Sequence, residues 1–141
     1  MSDPHDLERF VRAQEQDHAR ALAELKRGRK ETHWMWYVFP QIAGLGSSDF
    51  AMRYAIRSLD EARAYLAHPV LGPRLIACAE AVLGVTGRSA YDIFGPPDDI
   101  KLRSSATLFE CAAGEGSVFA QVLDRYFDGA RDPATLRLLD R

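Results

Sequence analysis

Aromatic and polar side chains are concentrated between His33 and Gln41, at a density that could build a ligand pocket. The segment holds two tryptophans, Trp34 and Trp36, together with Phe39. Their rings could stack on a nucleobase, a nicotinamide or another flat ligand, while His33 and Gln41 could bond its polar edge. A central core element would use the same residues, so the composition leaves both interpretations open.

A second candidate site lies where a helix is expected to begin. Asp98, Asp99, Lys101, Ser104 and Ser105 all fall within its first two turns. Amides, the helix dipole, hydroxyls and a cation could hold a phosphate or a carboxylate there. The two aspartates would repel such an anion, so a capped, solvated helix start is the alternative interpretation.

The first predicted helix carries two polar residues, Gln14 and His18, on its apolar stripe. They lie about one turn apart and would share one face of the helix. A lone histidine in such a stripe is more often a satisfied core group than a ligand. A glutamine and a histidine together favour a shared polar pocket.

Repeated capping signals predict an all-α fold: an irregular single-domain bundle of six to seven helices with short connectors over residues 1–141. Apolar residues recur at helical spacing, and glycines and prolines separate the periodic segments. No partner strand is visible for the segment around Trp36, which favours a short helix ending at Pro40. The other expected helices cover residues 6–27, 58–68, 73–87, 89–94 and 98–111 or 98–113, with two more beginning at 117 and 132, whereas residues 49–57 stay ambiguous.

Bulk composition narrows the function classes. Hydrophobic residues make up 47% and charged residues 27%, which is typical of a folded domain, and the net charge of −2 gives no reason to expect nucleic acid as a partner. The apolar stretch from Trp34 to Phe39 is too short to span a membrane, and no secretory signal is present, so a cytoplasmic location is expected. Cys78 and Cys111 are expected to be reduced thiols. No metal-ligand spacing or cofactor motif is found.

Short motifs along nearly the whole chain carry a resemblance to a known family. They are Gly28-Arg29-Lys30, His33-Trp34-Met35-Trp36, Phe39-Pro40-Gln41, Gly44-Leu45-Gly46, Tyr54-Ala55-Ile56, Tyr65-Leu66 with His68-Pro69, Leu71-Gly72 with Arg74-Leu75, Ile93-Phe94-Gly95, Pro97-Asp98-Asp99 with Lys101-Leu102 and Ser104-Ser105, and Thr107-Leu108-Phe109. The chain resembles a bacterial family of unknown function, some members of which carry the label calpastatin. That label implies a calpain inhibitor. Because calpastatin inhibitory segments are disordered and this chain is patterned to pack, we expect the label to be a misnomer.

The helical layout is also similar to that of proteins that act on ADP-ribose and N-glycosidic bonds. This resemblance implies a nucleotide, NAD or ADP-ribose-like ligand, but it assigns no catalytic residue to a position of this sequence. An N-glycosidase would need an acidic group to stabilise an oxocarbenium-like transition state, and Asp98 and Asp99 are the nearest carboxylates, with His33 as a further catalytic candidate.

The resulting hypothesis is a small-ligand-binding domain, extending to N-glycosidase-type hydrolysis. The alternative is a non-catalytic protein-interaction or structural domain, and the sequence does not determine the oligomeric state. If the pocket exists, replacing Trp34 or Trp36 with alanine is expected to cost ligand affinity more than stability. The residues expected to line it are Gln14, His18, His33, Trp34, Trp36, Phe39, Gln41, Lys101, Ser104 and Ser105.

Overall fold

Every regular element of the computed structural model, which describes residues 3–140, is an α-helix. The all-α prediction is therefore confirmed. The expected six to seven helices are exceeded, since ten are present in the described residues and seven of these have seven or more residues. The helices are α1 Glu8–Gln14, α2 His18–Lys26, α3 Met35–Val38, α4 Asp49–Arg53, α5 Leu59–Ala67, α6 Leu71–Leu83, α7 Ala90–Phe94, α8 Asp98–Ala113, α9 Val118–Phe127 and α10 Pro133–Leu139.

The predicted first helix, residues 6–27, is divided into α1 and α2. Gln14, at the end of α1, is buried and donates from Nε2 to the Tyr37 carbonyl (2.7 Å) and to the Tyr65 hydroxyl (2.9 Å). Asp17 accepts a hydrogen bond from the Tyr37 hydroxyl just before α2 begins. Both interactions turn polar side chains towards α3, and they replace a continuous helix with a turn.

Four of the predicted capping residues do cap a helix. Ser58, Ser117 and Asp132 accept hydrogen bonds from backbone amides of the first turns of α5, α9 and α10, and Ser89 forms a full capping box at α7. The predicted start at Pro73 is wrong, because α6 begins at Leu71 and has no side-chain cap among the described residues. Helix α8 is preceded by Pro97 and likewise has none. Asp98, the predicted cap, is instead the first residue of the helix.

Helix α8 lies at the centre of the bundle, in contact with α5, α7, α9 and α10. Its Leu102, Leu108 and Phe109 are almost completely buried. The Phe109 ring lies 5.3 Å from the ring of Tyr65 and 5.6 Å from that of Phe119, measured between centroids. Because these interactions hold α8 on several sides, its polar first turns have a fixed position at the edge of the bundle.

Helices α5 and α6 meet at a 90° bend. A Cβ at Gly72 would lie 2.1 Å from the Leu66 carbonyl oxygen, so the corner requires glycine. His68 Nδ1 accepts from the amides of Val70 (3.1 Å) and Leu71 (3.2 Å). Among residues 3–140 no single helix has the length and apolar composition to cross a bilayer, although this bent pair meets that criterion by length and composition.

The segment between α2 and α3 is organised by the buried carboxylate of Glu24. Its Oε1 accepts from the Glu31 amide (2.8 Å), the Thr32 amide (3.0 Å) and the Trp34 indole Nε1 (2.9 Å), and its Oε2 accepts from the Thr32 hydroxyl (2.6 Å). Burial raises the pKa of Glu24, but the hydrogen bonds from Thr32, Glu31 and Trp34 lower it by more, so the pKa falls from 4.5 to about 2.

The segment that contains α4 is closed at its base by backbone pairing. Ile42 and Ile56 form an isolated parallel bridge, with Ile56 N–H donating to the Gln41 carbonyl and Ala43 N–H to the Ile56 carbonyl, both at 2.8 Å. Arg9 adds hydrogen bonds to the carbonyls of residues 53 and 55. Helix α4 itself contains no buried residue. The backbone pairing therefore fixes its position, while its own side chains border open clefts.

Replacing Glu24 with glutamine should lower the free energy of unfolding by about 3 kcal/mol, because an amide cannot accept all four hydrogen bonds. The folded-state pKa lies below the ordinary value, so the stabilisation from the carboxylate is complete above about pH 4.5 and is lost as the pH falls towards about 2. Urea unfolding at about pH 7 and about pH 3 measures both effects. The gap between the wild type and the variant should narrow at the lower pH.

Glu31→Gln is the matched control, because the Glu31 side chain is exposed. A Glu24→Gln protein as stable as the wild type at neutral pH would show that the carboxylate does not hold this segment.

Candidate functional site

Three of the predicted ligand-binding residues meet in one cleft. Gln41, Lys101 and Ser104 line a cavity of about 470 Å³ between the loop before α4, the first turns of α8 and the start of α10. We call this cavity the polar cleft. Its full lining is Gln41, Leu45, Gly46, Ser47, Ser48, Ala51, Pro97, Ile100, Lys101, Ser104, Asp132 and Ala134.

Lys101 is placed in the polar cleft by its neighbours. Its Nζ lies 3.7 Å from Asp98 Oδ1 and 5.7 Å from the ring centroid of Trp36. The closer partner of Asp98 is Lys30, whose nearly buried Nζ lies 2.9 Å from Asp98 Oδ2. Because Lys30 already balances the Asp98 charge, the ammonium of Lys101 remains able to attract an anion in the cleft.

Sequence reasoning missed Asp132 as a site residue. Its Oδ2 accepts from Ser104 Oγ (2.9 Å), Thr135 Oγ1 (2.6 Å) and the Thr135 amide (3.3 Å), while Oδ1 accepts none of these bonds. Burial raises the pKa of Asp132, but the hydrogen bonds from Thr135 and Ser104 lower it by more, so the pKa lies below its usual value. The carboxylate is therefore ionised at neutral pH. Its only sequence signal was the cap-plus-proline pair of Asp132 and Pro133.

The wall of the polar cleft opposite α8 is formed by the loop before α4. A Cβ at Gly46 would lie 2.6 Å from the Ala51 Cβ, so only glycine lets the loop pass this closely over the helix. Ser48 caps α4 by accepting from the Ala51 amide at 3.1 Å. Together these contacts fix a short wall that carries the hydroxyls of Ser47 and Ser48 beside the cleft.

Two other predicted residues, His33 and Trp36, lie in a different depression of about 420 Å³, which we call the aromatic groove. Its full lining is Ala13, His33, Trp36, Tyr37, Phe50 and Tyr54. The Trp36 and Phe50 ring centroids are 5.1 Å apart at an interplanar angle of 59°, and half of Phe50 is exposed. Of the three predicted aromatic walls, only Trp36 lines the groove, and its other aromatic walls are Tyr37, Phe50 and Tyr54.

The remaining predicted residues line neither depression. Trp34 and Phe39 are in the core, as is Gln14, which binds backbone and tyrosine groups. Ser105 is buried within α8, and its hydroxyl has no hydrogen-bond partner among the described residues. The half-buried His18 lies near Arg74, and burial together with that charge lowers its pKa. The expected single pocket is therefore divided.

The two aspartates proposed from sequence occupy different surroundings from Asp132. Asp98 is held between Lys30 and Lys101. Asp99 does not line the polar cleft, and its Oδ1 is buried without a hydrogen-bond partner in residues 3–140. Within that same range no group of three or more histidine, cysteine or acidic side chains could hold a metal ion. Asp132 is thus the carboxylate best placed to meet a ligand in the cleft.

Trp34→Ala and Trp36→Ala should differ in stability. Trp34 is fully buried and donates to Glu24, so its removal should cost about 4 kcal/mol through the cavity and the lost hydrogen bond. Trp36 is only partly buried, and its removal should cost about 1–2 kcal/mol. Thermal and denaturant unfolding of the two variants tests this order. Equal losses would mean that both indoles serve the core alike, and that Trp36 is not available to a ligand.

Comparison with known proteins places the chain in a family. Residues 4–139 match the family described as protein of unknown function (DUF1810). The crystal structure of the conserved hypothetical protein Rv1873 from Mycobacterium tuberculosis is similar to the chain, with a TM-score of 0.96, 52% sequence identity and 99% of each chain covered. No curated protein matches the sequence. These matches confirm the resemblance to a bacterial family of unknown function, and the protein belongs to the DUF1810 family.

Proposed function

We propose that the polar cleft binds a ribose-containing small molecule of the nucleotide, NAD or ADP-ribose class. The observation that carries this proposal is the meeting of Asp132, Lys101 and Gln41 on one concave surface. They present a carboxylate, an ammonium group and an amide to the same volume. At about 470 Å³ the cleft is within the usual size range of small-molecule sites.

The chemistry of the lining suits a ribose with a phosphate attached. A vicinal diol donates hydrogen bonds, which Asp132 Oδ1 and the Gln41 side-chain oxygen can accept. An ammonium group such as that of Lys101 attracts a phosphate, and the hydroxyls of Ser47 and Ser48 can donate to it. Opposite charges in one cleft therefore favour a ligand that carries both hydroxyl donors and an anionic group.

Asp132 also makes the cleft suitable for hydrolysis of an N-glycosidic bond. In such a reaction the bond between the anomeric carbon and the base nitrogen breaks, and positive charge develops on the sugar. An ionised carboxylate beside that carbon stabilises the charge. Water then adds its oxygen to the anomeric carbon, and the base leaves with a proton. Ser104 and Thr135 would act as positioning residues, since they fix the carboxylate through Oδ2.

Thermal unfolding of the wild type with NAD, ADP-ribose, nucleotides, nucleosides and simple anions should reveal a ribose-containing ligand. At a hundredfold excess over its Kd, a ligand adds about 2.7 kcal/mol of stability, which raises the Tm by about 5–10 °C. Asp132→Asn and Lys101→Met should each reduce this shift. Asparagine can still cap α10, and Lys30 still binds Asp98 when Lys101 is replaced.

Lys26→Met is the matched control, because Lys26 is exposed at the end of α2, away from the cleft. Any compound that shifts the Tm would then be incubated with the protein and its free base measured. A panel without any shift, or shifts unchanged by Asp132→Asn and Lys101→Met, would contradict the proposal. That outcome would favour the non-catalytic interaction domain.

A further inference from the structure

A cleft of about 570 Å³ between α1 and α4 carries a concentration of arginines. We call it the arginine cleft. It lies apart from the polar cleft, with which it shares no lining residue. Its lining includes the charged side chains of Arg9, Arg12, Arg53, Arg57, Asp6 and Glu8.

The four guanidinium groups of the arginine cleft differ in how many hydrogen bonds and ion pairs they already form. Arg9 is saturated, since it pairs with Glu61 at 2.8 Å and donates to four backbone carbonyls. Within residues 3–140 Arg12 forms only an exposed pair with Glu8 at 3.7 Å. Arg53 and Arg57 make no ion pair or side-chain hydrogen bond within the described part of the chain. Two guanidinium groups are therefore free to bind an anion.

The arginine cleft adjoins the aromatic groove. Ala13 and Tyr54 line both depressions, so the free arginines and the aromatic rings lie on neighbouring parts of one surface. The Arg53 guanidinium carbon lies 5.7 Å from the centroid of the Tyr54 ring. The Tyr54 ring in turn lies 5.3 Å from that of Tyr37 and 6.2 Å from that of Phe50. Cationic and aromatic surfaces thus meet at Tyr54.

We propose that the aromatic groove and the arginine cleft together form a mononucleotide site. The base lies against the rings of Trp36, Phe50 and Tyr54, and the phosphate binds Arg53 and Arg57. Every nucleobase has a flat face that can stack on aromatic rings, and arginine binds phosphate oxygens with two parallel hydrogen bonds. This site is additional to the ribose site proposed for the polar cleft.

The charge in the arginine cleft suits one phosphate better than a polyanionic strand. After Arg9 is balanced by Glu61, three guanidinium groups remain against the carboxylates of Asp6 and Glu8. A surplus of one positive charge balances part of the charge of one phosphate monoester, which is about −2 at neutral pH, whereas a nucleic-acid strand needs a row of cations. The ligand is therefore a nucleoside monophosphate.

Calorimetric titration with adenosine monophosphate, adenosine and inorganic phosphate tests this site. Each titration is repeated with the Lys101→Met, Asp132→Asn double variant, in which the polar cleft has lost the two charged groups that would bind a ligand there. We expect the monophosphate to bind in both backgrounds, and more tightly than adenosine or phosphate. The double variant Arg53→Met, Arg57→Met should weaken monophosphate binding about a hundredfold, about tenfold for each arginine, and leave adenosine binding unchanged.

Phe50→Ala should weaken both adenosine and its monophosphate, because Phe50 is half exposed and its loss leaves the core intact. Arg27→Met is the control, because Arg27 is exposed and lines neither the arginine cleft nor the aromatic groove. The proposal is overturned if the monophosphate does not bind at about 1 mM, or if its affinity is unaffected by the arginine pair. If the monophosphate binds the wild type but not the Lys101→Met, Asp132→Asn variant, it binds in the polar cleft. That result would overturn the mononucleotide site and would not contradict the ribose site proposed for the polar cleft.

Discussion

The buried carboxylate of Glu24 determines where much of the surrounding chain lies. Four hydrogen-bond donors from Glu31, Thr32 and Trp34 surround it. They are all satisfied only when the segment between α2 and α3 follows its observed course. On that path Lys30 donates its amide to the Ile93 carbonyl (2.7 Å) and its ammonium to Asp98. A carboxylate inside the bundle thereby fixes the relation between α2, α3 and the beginning of α8, because moving any of these elements would leave buried polar groups without partners.

The charges in the polar cleft depend on how the segment between α2 and α3 is placed against the beginning of α8. Lys30 binds Asp98 closely, which leaves Lys101 between Asp98, the face of Trp36 and the cleft. On the other side, Ser104 connects α8 to Asp132 and so places a carboxylate across from the lysine. If the Lys101 ammonium and the Asp132 carboxylate paired directly with each other, neither charge would be available to a ligand. Instead Asp98 orients Lys101 and Ser104 orients Asp132, and both charged groups face the same cavity.

Local chemistry made the helices predictable, while the site required knowledge of the packing. Caps such as Ser117 act on amides a few residues away, so sequence alone located most helix starts. Trp34 and Trp36 look equivalent in sequence, but Glu24 draws one indole into the core and leaves the other at the groove. Asp132 had a local explanation as a cap, and nothing near it in sequence indicates that α10 begins beside Ser104 of α8.

Mapping ADP-ribose onto the protein by amide NMR tests the ribose-binding polar cleft most directly, because every amide reports on its own surroundings at once. The largest shift changes should fall on residues 45–48, on Lys101 and Ser104, and on the turn at Asp132, and they should disappear in Asp132→Asn. Changes confined to other surfaces, or no changes at about 1 mM ligand, would contradict a ribose-binding polar cleft.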